Sequence, residues 1–262
     1  MIFIGRDILL NDPTLMVIGV STLIFLSILV LLAITMIYKG FKNKNRLMFY
    51  ISAIFIGGML AWSGVGLNFS IALIFDNIPP DFVSFMIQQG FIGIFLFLWT
   101  VGVTDLTNIK RKTRKTLLIA IGTFLALFQV FYWIILFYDI SLLGTVHSVV
   151  VQSHQPLDYL YLSISLGFFV VGAAWITIES YNSSDSRIKL KSRFLLLFIV
   201  LISVGGFIEI FNNIIFGGIN IIGALISKIF LTFGIISGYL GFILPLRVEQ
   251  IVMKFTTKSV NV

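Results

Sequence analysis

The chain has 262 residues, of which 58% are hydrophobic and 11% charged, and its formal net charge is +7. Soluble domains carry about 25% charged residues, so this composition, with a mean hydropathy of +1.07, predicts an integral membrane protein without a large soluble domain. Cysteine is absent, which excludes disulfides, thiol nucleophiles and cysteine-held metals.

Seven apolar runs follow one another, at about 15–38, 47–75, 82–104, 116–138, 157–180, 194–216 and 221–244. Each meets the roughly 20 apolar residues that a helix needs to cross a bilayer. The predicted fold is therefore all-α, a single seven-transmembrane helix bundle. The first run is too long for a signal-peptide core. It has no small-residue cleavage pattern, and its positive charges follow it, so it is expected to be retained.

The connecting segments set the orientation. Lys39, Lys42, Lys44 and Arg46 lie between runs one and two. Lys110, Arg111, Lys112, Arg114 and Lys115 lie between three and four, and Arg187, Lys189, Lys191 and Arg193 between five and six. The C-terminal segment adds Arg247, Lys254 and Lys258, which leaves only Arg6 and Lys228 of the 18 bases elsewhere. The alternate connections hold Asp76, Asp81, Asp139 and Asp158 and no base. Basic loops stay cytoplasmic, so the N-terminus is expected outside and the C-terminus inside a plasma membrane. In a soluble chain such a charge excess would suggest nucleic acid. Here it accounts for topology and attraction to anionic lipid, and no nucleic-acid partner is expected. The basic rim is also where a cytoplasmic partner would dock.

Pro79-Pro80 turns the second connection sharply. The connection between runs four and five, 140–156, holds both histidines, His147 and His154, and a β-branched stretch, Val146–Val151. It forms a small hairpin or extends the fourth helix. Two histidines seven apart without carboxylate or cysteine company read as a solvated loop and not as a metal site.

The last two runs form a hairpin joined by Gly217-Gly218-Ile219-Asn220. The sixth carries Glu209 and the seventh Lys228. At about 1.5 Å per residue these lie roughly 12 and 15 Å from the turn, so acid and base are expected at similar depth, where an unpaired charge is costly. Glu209 shares a helical face with Gly205, Gly206, Asn212 and Asn213; Lys228 shares one with Ala224, Thr232, Ile235 and Tyr239. A separate stripe of Gly223, Ser227, Gly234, Gly238 and Gly241 suits close packing. Gln88 and Gln89 in run three, Asn68 in run two and Gln129 in run four add amides in the outer half or near the middle. The candidate ligand-binding set is Glu209, Lys228, Asn212, Asn213, Thr232, Gln89 and Asn68. A buried ion pair that fixes register, a ligand or proton site, and a covalent Schiff base at Lys228 are the three readings of the pair.

Seven helices, an outer N-terminus, a lysine in the last helix and Trp62, Trp99, Trp133 and Trp175 as ring walls resemble microbial rhodopsins in topology. That resemblance implies retinal on Lys228. Ala224 stands where such proteins carry a carboxylate one turn earlier, and run three has no interior acid, so retinal is not favoured and the cofactor is left open. Arg187-Ile-Lys-Leu-Lys-Ser-Arg-Phe entering run six, and Gly241-Phe-Ile-Leu-Pro245 closing run seven, are similar to archaeal seven-helix membrane proteins and to the membrane modules of sensor histidine kinases. That resemblance implies a sensor-like, ligand-binding module.

No His-Glu-x-x-His, Gly-x-Ser-x-Gly or phosphate loop is present, so no enzyme is expected. The expected function is a membrane receptor or sensor-like protein that binds a small ligand or ion near Glu209 and Lys228 and signals to a separate cytoplasmic partner. A small proton-coupled carrier and a structural subunit of a membrane complex are the alternatives.

Overall fold

The computed structural model describes residues 9–107, 109–146, 148–150, 152–216, 220–245 and 248–250. The expectations that fall on Arg6, His147, the Gly217-Gly218-Ile219 turn, Arg247, Lys254 and Lys258 lie outside these residues.

Seven helices are long and apolar enough to span a bilayer. Asp12 starts α1 (Pro13–Lys42): its carboxylate accepts from Thr14 N, and Pro13 supplies a preset φ in the first turn. Asn45 caps α2 (Arg46–Phe75) in the same way. The third span is two helices, α3 (Asp81–Gln89) and α4 (Ile92–Leu106). Then come α5 (Arg111–Tyr138), α6 (Pro156–Tyr181), α7 (Ser186–Phe216) and α8 (Ile221–Ile243), the last capped by Asn220. Helices α5 and α7 begin five and eight residues before the predicted apolar runs. Their first turns are basic, and Lys and Arg are good helix formers whose stems lie along apolar surface. Only short turns therefore remain of the basic loops.

The expected hairpin forms between α5 and α6. Strands β1 (Gly144–Val146) and β2 (Gln152–His154) pair antiparallel, with Thr145 opposite Ser153. Leu143, Val149 and Val150 are buried, so the segment caps the end of the bundle. It is not a solvated loop. Asp81 Oδ2 accepts from Val146 N and ties the hairpin to α3.

Six spans make a ring. Helix α1 packs on α2, α2 on α3 and α4, α4 on α6, α6 on α7, α7 on α8, and α8 returns to α1. Helix α5 lies outside the ring, against α3 and α4, with Phe128 stacked on Tyr161 of α6 and Tyr132 tilted against the same ring. The tightest contact is between α7 and α8. A Cβ on Gly234 would lie 3.0 Å from Ile202, and one on Gly238 3.0 Å from Phe198, so these glycines let the backbones approach. Large apolar residues such as Ile24, Leu31, Ile134, Val171 and Phe233 cover the outer faces. An apolar outside around a ring with a polar interior makes this a multi-pass membrane protein.

The third span differs from the continuous helix expected at 82–104. It breaks at Gly90-Phe91, and α5 takes up the freed backbone groups. Gln129 Oε1 accepts from Gly93 N at 2.8 Å, and Trp133 Nε1 donates to Gly90 O at 2.8 Å. Broken helices survive in a membrane only where such partners exist.

Candidate functional site

Lys228 and Glu209 meet. Lys228 Nζ donates to Glu209 Oε1 at 2.9 Å, with the lysine side chain 7% exposed and the glutamate 23%. The second carboxylate oxygen, Oε2, lies 2.5 Å from Ser227 Oγ, which also reaches Gly205 O at 3.0 Å. Ser227, expected only to pack, thus holds the acid as well. The ammonium lies 5.8 Å from the Phe25 ring centre and 5.7 Å from that of Trp62. Both rings attract it electrostatically. Acid, base, hydroxyl and two aromatic faces form one neutral polar centre fed by α1, α2, α7 and α8.

This centre lines a cavity of about 220 Å³ inside the ring. At the hairpin end the wall includes Gln88, Gln152, His154, Asn212 and Asn213. Toward the basic end it becomes apolar, with Leu29, Phe55, Ile202 and Ile235. Phe169 and Phe198 make the floor, with ring centres 5.3 Å apart. Trp99 backs them, 5.6 Å from Phe169 and 6.1 Å from Phe242. Trp99 is buried, as are the three phenylalanines.

The predicted site residues divide. Glu209, Lys228, Asn212 and Asn213 line the cavity. Thr232, Gln89 and Asn68 are not among the lining residues. Thr232 lies one turn beyond Lys228 on α8, but the cavity face of that helix runs through Ala224, Lys228 and Ile235. Asn68 Oδ1 accepts from Ser84 Oγ at 2.8 Å and joins α2 to α3. Gln89 Nε2 donates to Asp158 Oδ2 at 3.0 Å, and its neighbour Gln88 faces the cavity instead.

Gln89 belongs to a second polar cluster. Asp158 is fully buried in the first turn of α6, and His154 Nδ1 lies 2.5 Å from its Oδ2. Asp158 is thus the hairpin's attachment and not a surface acid. Among the described residues no three His, Asp or Glu side chains gather as a metal site.

Sequence reasoning left Gln152 and His154 out of the site, and of the neighbours Gln88 and Gln89 it chose Gln89. The period-2 rule for strands puts Gln152 and His154 on one face, and that signal was present in 152–154. Choosing Gln88 over Gln89 needed the rotation of α3, which the break at Gly90 resets. Comparisons of the chain with models of known families, with characterised proteins and with solved structures gave no match.

Proposed function

We propose that the protein is a receptor or sensor-like protein of the plasma membrane whose central cavity takes a small ligand beside Glu209 and Lys228. The observation that carries this reading is the shape of the cavity. Its lining runs from beneath the hairpin through the ion pair to an apolar end that includes Phe169, Phe198, Ile54 and Ile235, and none of the bases of the connecting segments is among the lining residues. A carrier needs a second route to the opposite face. The broken third span offers no ion site either, because Gln129 and Trp133 already occupy Gly93 N and Gly90 O.

In this reading the hairpin end faces outward and the basic end the cytoplasm, as the positive-inside rule requires. Helix α8 links the two. It carries Lys228 at the cavity. About 16 Å further on, at 1.5 Å per residue, Tyr239 accepts from Lys39 Nζ at 3.1 Å. Phe242 O accepts from Lys191 Nζ at 3.2 Å. A ligand that shifts α8 disturbs these ties, and the basic rim passes the change to a partner.

Gly58 gives the test. It lines the cavity, and a Cβ there meets only Leu29 Cδ2, at 3.9 Å. Gly58→Leu therefore directs a branched apolar side chain into the chamber from a Cβ position in open space. Protein extracted from its own membrane in polymer discs, then denatured, is expected to release a small molecule in near-stoichiometric amount. The Gly58→Leu variant is expected to release at least tenfold less. Identical small-molecule profiles from the two would contradict the reading.

A further inference from the structure

The polar groups around the cavity also specify the kind of molecule that fits. Three carboxamides line its hairpin end while nearly all of their surface is buried: Gln152 is 4% exposed, Asn212 5% and Gln88 6%. Gln152 Oε1 and Nε2, Gln88 Oε1 and Asn212 Oδ1 have no hydrogen-bond partner among the described residues. Buried polar atoms are normally paired, and an orphan costs about 1–3 kcal/mol. Gln88 and Gln152 bring three of these atoms to the hairpin end of the chamber, which marks where a ligand's polar head belongs, while Asn212 Oδ1 lies against Gly223, 3.0 Å from where a Cβ would sit. Two of the three amides converge. A Cβ on Gly64 would lie 2.5 Å from Gln88 Oε1 and 3.0 Å from Gln152 Nε2, so both amide ends occupy the room that a side chain at Gly64 would need.

The head is uncharged. Lys228 already neutralises Glu209, and the second carboxylate oxygen is held by Ser227. A charged ligand would have to break that pair or bring an unmatched charge into a low-dielectric chamber, and either is costly. The free amide ends comprise acceptors and a donor. A hydroxyl both donates and accepts, so it satisfies a carboxamide in either orientation of its O and N. Beyond the head, the wall turns to Leu29, Phe55, Phe169, Phe198 and Ile235, which calls for an apolar body.

We infer that the ligand is an uncharged, hydroxyl-bearing amphiphile, its head under the hairpin against Gln88 and Gln152 and its apolar body against Phe169 and Phe198. This rests on the ligand-cavity reading above and adds the ligand's class. Three probes with one chain length separate the classes: 1-decanoylglycerol, decanoate and decyltrimethylammonium. Each is titrated into wild-type protein, Gly58→Leu and Gln152→Leu in lipid nanodiscs, and thermal unfolding is followed.

The expected result is saturable stabilisation of the wild type by 1-decanoylglycerol, at a concentration at least tenfold below that needed for either charged probe. Gly58→Leu loses the shift, and Gln152→Leu needs at least tenfold more probe. A charged probe that matches or outperforms 1-decanoylglycerol in the wild type and fails in Gly58→Leu overturns the ligand class and leaves the cavity reading standing. Shifts equal in wild type and Gly58→Leu for all three probes overturn both. That result also follows if water alone satisfies the amides.

Discussion

Replacing Lys228 by methionine is expected to lower stability by about 3 kcal/mol, the scale for removing one partner of a buried ion pair. Methionine keeps an unbranched apolar stem like that of lysine and lacks only the terminal ammonium, so the loss reports chiefly on charge. It leaves Glu209 with Ser227 as its remaining partner in a low-dielectric interior. Glu209→Gln should cost less, because the amide oxygen still accepts from Lys228 and because position 209 is the more exposed of the two, 23% against 7%. The double variant should regain most of what Lys228→Met loses, since an apolar group opposite a neutral amide strands no charge. Reversible unfolding in mixed micelles measures all three. Losses that simply add in the double variant would show that the two side chains are not coupled.

The second large effect is steric. Gly205→Leu is expected to destabilise by about 3 kcal/mol, at the upper end for an overpacked core. A Cβ at Gly205 would lie 2.8 Å from Leu231 Cγ and 3.1 Å from Leu231 N, and the backbone atom cannot turn aside as a side chain can. Separating α7 from α8 would also pull Ser227 from Gly205 O and Lys228 from Glu209. Gly58→Leu is the matched control: the same substitution, also in a helix interior, at a site with open space. It should unfold within about 0.5 kcal/mol of wild type, as changes away from packed contacts do. If Gly205→Leu were tolerated as well as Gly58→Leu, the α7–α8 contact would be looser than described.

Much of this architecture is legible in the chain because a bilayer imposes simple rules. Length and hydropathy gave all seven spans, since each must satisfy its own backbone in a medium without water. The glycines of α8 read as a packing stripe, and they pack against α7. Glu209 and Lys228 could be paired from their distances to a shared turn. Three features escaped for physical reasons. The break at Gly90-Phe91 depends on Gln129 and Trp133 of another helix, and nothing local to run three announces it. The burial of His154 depends on Asp158, an acid that looked like a surface residue because it sits at a span end. Gln88, Thr232 and Asn68 turned on helix rotation, which a one-residue or 40° error changes from cavity to packing. Periodicity finds a face, but only the neighbouring helices decide which part of that face meets open space.

The most direct test of the chamber uses the natural absence of cysteine. A single cysteine at Gly58 can be offered a small, uncharged, hydroxyl-rich thiol reagent that does not cross lipid, from either side of sealed, oriented membrane vesicles. The account predicts reaction from the hairpin side only, because the Phe169–Phe198 floor closes the other. Modification from the basic side, or none from either, would contradict a chamber that begins beneath the hairpin and stops at that floor.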